Sequence, residues 1–332
     1  MSERRGTSFR RTPFGQLILD HGRRDRAARE GHKVAKAPPM FEAWTDGVFP
    51  PLAQDADRFV SADGVRLHSH AAAVNSSMVF GFNLFLPFLV DSSEPLAALL
   101  SKATQLELRV ERIQFEFGPS EILAETERDP PNWDEPRTTS DLGIEVHDAA
   151  GRRGIVLLEV KLSEGGFTGC GGRGSPRNSR RDLCDSAGAF FAETSACYLT
   201  RPRHARRDRR YWSIFASAGR SVQAAFPGAD LGGCCPFAND MQQPMRNHAL
   251  ALGLLQAGRY EFARFGLVHH DDNPDVPQHW ERYRGVVADP EVLFCLPASG
   301  VIEAGRRLEA SWSSDWAKYL EERYRLGGGG GR

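Results

Sequence analysis

Ile155-Val156-Leu157-Leu158-Glu159-Val160-Lys161 reads as a strand that changes character at its end. Four apolar residues run into a carboxylate and an ammonium two positions apart, and a strand's period of two sets both on one face. Ionisable groups rarely sit in so apolar a strand unless they are paired or used. Upstream, Ser140-Asp141-Leu142-Gly143-Ile144-Glu145-Val146-His147 reads as a second strand, and the residues between the two, Asp148 to Gly154, are rich in turn formers. An antiparallel hairpin turning near Ala150-Gly151 sets Asp141 opposite Glu159 at one limit of register and opposite Lys161 at the other. At either limit two carboxylates and a lysine share the end of the hairpin. Paired carboxylates suit a hard divalent cation such as magnesium. That cation activates a water and offsets charge on a phosphate, while the lysine positions the water or neutralises the same charge.

The competing reading is an ordinary solvated ion pair, worth at most about 1 kcal/mol. Lysine usage argues against it. The chain's lysines are Lys33, Lys36, Lys102, Lys161 and Lys318, among far more arginines, so a lysine at 161 points to a need for a compact ammonium.

Asp141 followed by Glu159-Val160-Lys161 resembles the PD-(D/E)XK nuclease superfamily, with Asp141 as first acid and E-x-K after it. Gln243-Pro244-Met245-Arg246 resembles the Gln-x-x-Arg helix of uncharacterised bacterial proteins similar to restriction endonucleases. The resemblance covers roughly residues 68 to 270. It implies an α/β fold with a restriction-endonuclease-like core, a mixed central sheet flanked by helices, and extensions at both ends. It further implies Asp141 and Glu159 as ligands of Mg2+ or Mn2+, Lys161 and Gln243 as catalytic partners, and Arg246 beside the site or the phosphate. Serine rather than proline precedes Asp141. The helix expected over 68 to 88 lacks the acid that many members carry there, leaving Glu107, Glu111 and Glu121 as substitutes.

Length and composition agree with such a core. The chain has 332 residues, enough for one large domain or two modest ones, and a net charge of −1. No global basic field draws it to nucleic acid, so DNA contact falls to local patches. The six cysteines are too few for a disulfide framework in a chain this long. No secretory signal and no membrane-length apolar run is visible, and Asn83 and Pro87 interrupt the most apolar stretch. A cytoplasmic protein with no membrane partner is expected. Walker and Rossmann glycine loops, a G-x-S-x-G elbow and H-E-x-x-H are absent from the sequence.

The chain divides into an N-terminal extension (1–60), the nuclease-like core (61–272), a C-terminal helical region (273–326) and a flexible tail (327–332). Helices are expected over 14–32, 68–88, 94–103, 181–192, 207–225, 240–257, 274–287 and 312–325. Beyond the hairpin, strands are expected over 105–112 and 260–268.

Three further clusters carry chemistry. Arg173, Arg180, Arg181, Arg206 and Arg207 belong to an arginine-rich stretch that can hold a nucleic-acid backbone or simply line a solvated face. Cys170, Cys184, Cys197 and Cys235 offer thiolates to zinc or an iron–sulfur cluster, though buried structural thiols are the simpler reading. His269-His270-Asp271-Asp272-Asn273-Pro274-Asp275 holds metal-capable side chains but also the signals of helix initiation.

The resulting expectation is a magnesium-dependent deoxyribonuclease that hydrolyses DNA phosphodiesters, a homodimer if it cuts both strands. The alternative is an inactive protein of the same fold that binds nucleic acid or serves as a structural component.

Overall fold

Residues 12–31, 39–125, 138–200, 208–217 and 220–326 are described by a computed structural model. Its centre is a five-stranded sheet in the order β1 (Leu108–Phe117), β2 (Ser140–Asp148), β3 (Arg153–Lys161), β4 (Phe262–His269), β5 (Leu293–Pro297). The first three strands are antiparallel neighbours, and the β3–β4 and β4–β5 pairs are parallel. This is the mixed sheet expected of the α/β class. Leu142 pairs with Leu158 and Ile144 with Val156, so the next position along sets Asp141 across from Glu159. That is the first of the two registers the hairpin allowed.

The helices are α1 (Pro13–Glu30), α2 (Ala53–Ala62), α3 (Ser77–Val90), α4 (Glu94–Thr104), the short α5 (Gly171–Gly174), α6 (Asp182–Asp185), α7 (Ala187–Ala192), α8 (Tyr211–Phe215) and α9 (Val222–Ala225), then α10 (Gln242–Gln256), α11 (Val276–Val286), α12 (Ala298–Gly305) and α13 (Ser313–Tyr324). They split between the sheet faces. Val156, Leu158 and Val160 of β3 join one core with α3, α4, α12 and α13. Ile155 and Leu157 join the other with Met245, Leu250 and Leu254 of α10 and Trp280 of α11. The period of β3 therefore assigns Glu159 and Lys161 to the α10 face.

Several boundaries differ from the sequence reading. The helix expected from 68 begins at Ser77, where the Ser76 hydroxyl accepts from Val79 N (3.3 Å) and caps it. The helix expected over 181–192 is two pieces, because Ser186 adopts an extended conformation and restarts the chain as the cap of α7. The one expected over 207–225 is reduced to α8 and α9. β5 and α12 were not expected. The tail 327–332 lies outside the described residues, as do Arg206 and Arg207.

Asn83, buried in α3, ties the Gly47–Phe49 segment and the end of α13 to the core. Its Oδ1 accepts from Phe49 N (2.7 Å), and its Nδ2 donates to Gly47 O (2.9 Å) and Tyr324 Oη (2.7 Å). Pro87, four residues on, has no N–H to give the Asn83 carbonyl. That carbonyl accepts instead from Trp316 Nε1 of α13 (2.7 Å). Replacing Asn83 by leucine, similar in volume, would strand the buried Phe49 N–H and leave the Gly47 carbonyl only its longer bond from Tyr319 Oη (3.3 Å); we expect a loss of about 2–4 kcal/mol in denaturant-unfolding free energy. A change within about 0.5 kcal/mol would show that these segments are not held this way.

Among the described residues no single helix is long and apolar enough to cross a membrane. The bent pair α3–α4 passes such a test only when its two helices are joined, and α3 is buried within the protein.

Candidate active site

β3 delivers Glu159 and Lys161 to the α10 face, both almost wholly buried at 2% and 7% exposure. Lys161 Nζ lies 2.7 Å from Glu159 Oε1. α10 supplies the remaining partners of that carboxylate. Gln243 Nε2 donates to Oε1 (2.6 Å) and Asn247 Nδ2 to Oε2 (2.7 Å). Four residues apart, Gln243 and Asn247 meet Glu159 from one helix face. Gln243 thus reaches the site, as the Gln-x-x-Arg resemblance implied. Asn247 is an addition that sequence reasoning missed.

Asp141 completes the hairpin end. Its Oδ2 accepts from Val160 N (2.6 Å), which locks the carboxylate across the strand pair. Burial and then the charges of Glu159 and Glu116 push its pKa well above the usual aspartate range, against the pull of Lys161 and the Val160 N–H. At Lys161 burial favours the neutral amine. The charges of Glu159, Glu164 and Asp141 outweigh it and raise the pKa, so the side chain stays an ammonium.

Glu116 is the third acid, and it was not among the substitutes drawn from the sequence. Of those, Glu111 pairs with His147, Glu121 with Arg259, and Glu107 is exposed. Glu116 enters because β1 breaks its alternation there. Its φ of 50° is left-handed, an uncommon state for a residue with a side chain. The flanking Phe115 and Phe117 consequently lie in the cores of opposite sheet faces, though two residues apart. Gly143 on β2 makes room, since a Cβ there would collide with the Phe117 ring. Burial pushes the Glu116 carboxyl up to about 7; a Thr139 hydrogen bond opposes this, the Glu159 charge adds to it and Lys161 counters it.

Arg246 turns to a neighbouring buried network. Its Nε donates to Thr138 Oγ1 (2.8 Å) and its Nη2 to Glu125 Oε1 (3.1 Å), with the guanidinium 5.9 Å from the Tyr211 ring centroid. Thr138 N (2.7 Å), Thr138 Oγ1 (2.7 Å) and Tyr211 Oη also donate to Glu125, whose side chain is 1% exposed. Burial alone would raise the Glu125 pKa, but Arg246 and these hydrogen bonds together hold it below the ordinary value.

The arginine-rich stretch is mostly engaged locally. Arg173 meets Asn239 and Asp185, Arg180 meets Asp182 and Glu193, and Arg181 donates to Ser175 O. The cluster at 269–275 initiates a helix: Asn273 Oδ1 accepts from Asp275 N and Val276 N at the start of α11, and His270 bonds Tyr324 O and Asp272 N.

Among the described residues no three His, Cys, Asp or Glu side chains are gathered as a metal cluster. The acids nevertheless fit a hard cation that keeps water among its ligands. Beyond burial, the charge of Glu159 raises the proton affinity of both Glu116 and Asp141, and Glu116 adds to that of Asp141, a repulsion that a divalent ion relieves.

The chain matches, over residues 20–325, the protein family described as "Restriction Endonuclease associating with ARP". It belongs to that restriction-endonuclease-like family. No curated protein and no solved structure matches it.

Proposed function

We propose that the protein is a metal-dependent nuclease that hydrolyses phosphodiester bonds in DNA at the Glu116–Asp141–Glu159–Lys161 site. The observation that supports this most directly is the register of the β2–β3 hairpin, which sets Asp141 against the E-x-K pair on a buried, acid-rich sheet end. Family membership supports the nuclease class. Asp141 and Glu159 are the residues that would hold Mg2+ or Mn2+, and Glu116 adds a third negative charge. When bound, such an ion supplies Lewis-acid stabilisation of phosphate charge and a more acidic water.

The chain's own residues would do the rest. Gln243 and Asn247 fix the Glu159 carboxylate in one rotamer. Lys161, held as an ammonium, is unsuited to take a proton; it orients the attacking water and offsets charge on the pentavalent phosphorus. Arg177 and Arg180 line the wall of a cleft of about 540 Å3 and are candidate contacts for a nucleic-acid backbone, Arg180 by exchanging its Asp182 and Glu193 partners for phosphate.

The test is cleavage of supercoiled plasmid and of single-stranded DNA by purified protein with Mg2+ or Mn2+, with EDTA as control. Metal-dependent cleavage supports the reading; no cleavage of either substrate favours the inactive, DNA-binding alternative.

The raised carboxyls fix a pH dependence. Glu116 and Asp141 retain protons at pH values where ordinary acids are ionised, and a cation must displace them. Metal affinity should therefore climb as pH rises through about 7, where Glu116 loses its proton. Calorimetric titration with Mn2+ should show more proton release at about pH 6 than at about pH 8, as Glu116 ionises between them. Equal affinity and no proton release at both would remove Glu116 from the site.

A further inference from the structure

We propose that Cys170, Cys184, Cys197 and Cys235 form a tetrathiolate site for a single zinc ion, which fastens the segment between β3 and α10. The proposal stands apart from the nuclease reading and does not depend on it.

The segment needs such a fastening. Among the described residues between Lys161 and Gln242 there is no strand, and the longest helix has 6 residues. Regular structure this sparse supplies few cooperative backbone hydrogen bonds, the condition in which small folds turn to metals. Five of the chain's six cysteines fall in this segment, and four of them, Cys170, Cys184, Cys197 and Cys235, converge although up to 65 residues separate them in sequence. Backbone hydrogen bonds bring their stretches together: Cys170 N to Ala238 O (3.2 Å), Cys235 N to Cys184 O (3.1 Å) and Ala187 N to Gly233 O (2.9 Å). All four thiols line one cavity of about 10 Å3, closed by rings that include Phe190, Trp212 and Phe237. That volume suits about one water-sized atom.

Donors are aimed at the sulfurs. Asn178 Nδ2 lies 3.6 Å from Cys184 Sγ. Burial raises the proton affinity of the Cys197 and Cys235 thiols, and the backbone N–H groups of Leu199 and Phe237, each two residues on, oppose it. Trp212 Nε1 is buried beside Cys197 and has no nitrogen or oxygen partner among the described residues. Neutral thiols are weak acceptors, whereas thiolates accept strongly, so this set of N–H groups is matched to a deprotonated, metal-bound cluster. The thiols surround the cavity without being gathered as a cluster. Turning each about its Cα–Cβ bond between staggered rotamers redirects the sulfur without moving the backbone. Binding would release the thiol protons to solvent and form four Zn–S bonds of about 2.3 Å.

The site would also shape the neighbouring cleft, because Arg180, Cys197 and Tyr198 belong to the walls of both.

The test is the metal content of the full chain purified without chelator, with Co2+ exchange as a second reading. We expect about one zinc per chain and, after exchange, a thiolate-to-cobalt charge-transfer band and the d–d bands of a tetrahedral site. Cys184→Ser and Cys235→Ser should each cut zinc content severalfold and lower the Tm by about 5 °C or more. Cys295→Ser, a change in β5 away from the cluster, should leave the zinc content unchanged. Should the variants fail to fold, releasing metal from the wild-type chain with a mercurial and counting reactive thiols gives the same answer: four thiols freed per zinc. Substoichiometric zinc with no cobalt spectrum overturns the proposal, as do a brown, sulfide-containing chromophore or disulfides among these cysteines in protein purified under reducing conditions.

Discussion

Lys161→Met is expected to lower metal-dependent DNA cleavage by about 10²–10³-fold or more, the range for removing one charge-stabilising donor from a buried site. Methionine keeps the stem length and the burial but removes the ammonium that lies 2.7 Å from Glu159. Glu159→Gln should fall at least as far, because the Gln243 and Asn247 donors would then face an amide rather than a carboxylate. Lys161→Arg should rescue little. A planar fork on a longer stem cannot occupy a site closed around Glu159 and the Phe167 ring, whose centroid is 5.9 Å from Nζ. Each variant needs a folding control, since removing Lys161 leaves a buried carboxylate with one partner fewer. Thermal unfolding should stay cooperative. Wild-type cleavage rates in either Lys161→Met or Glu159→Gln would end the assignment of this site.

How far the sequence reveals this arrangement follows from which signals are local. The hairpin end is legible because a period of two admits only two registers, and both bring Asp141 to the E-x-K pair. Gln243 is legible through helical spacing. Asn247 lies on the same helix face, but a lone asparagine in an apolar helix carries no signal of its own. Glu116 is hidden for a different reason. Alternation in Gln105 to Arg112 ends the strand reading too early, and the left-handed Glu116 breaks the period where the strand crosses from one core to the other. Had the strand been continued through Phe117, Glu116 would have fallen one residue from the partner of Ser140, beside Asp141. β5 is a five-residue apolar run whose identity comes from its place beside β4, which no local pattern encodes. The sequence reads as one helix over 181–192 because its apolar spacing is helical on both sides of Ser186, while the break is set by one serine's backbone.

Arg246→Met should reveal what that arginine does. Sequence resemblance placed it beside the phosphate or the site, whereas the structure ties its guanidinium to Glu125 and Thr138. A buried carboxylate stripped of its cation keeps the full cost of desolvation, so unfolding free energy near neutral pH should fall by about 3–5 kcal/mol. The sign of the pH dependence is fixed by Glu125. Its pKa is held below the ordinary value in the folded protein, so the stability that Arg246 brings is present above the unfolded-state pKa and lost as pH falls through the folded one. The gap between wild type and variant should therefore narrow in acid. Adding Glu125→Gln to Arg246→Met should recover much of the loss at neutral pH, because the stranded charge is then gone. A purely phosphate-binding arginine predicts the opposite pattern: unchanged stability at every pH, weakened DNA binding, and no benefit from the second substitution. If stability falls as expected and cleavage by the folded fraction survives, α10 divides its labour. Gln243 and Asn247 then orient the reacting carboxylate, and Arg246 anchors the helix that carries them.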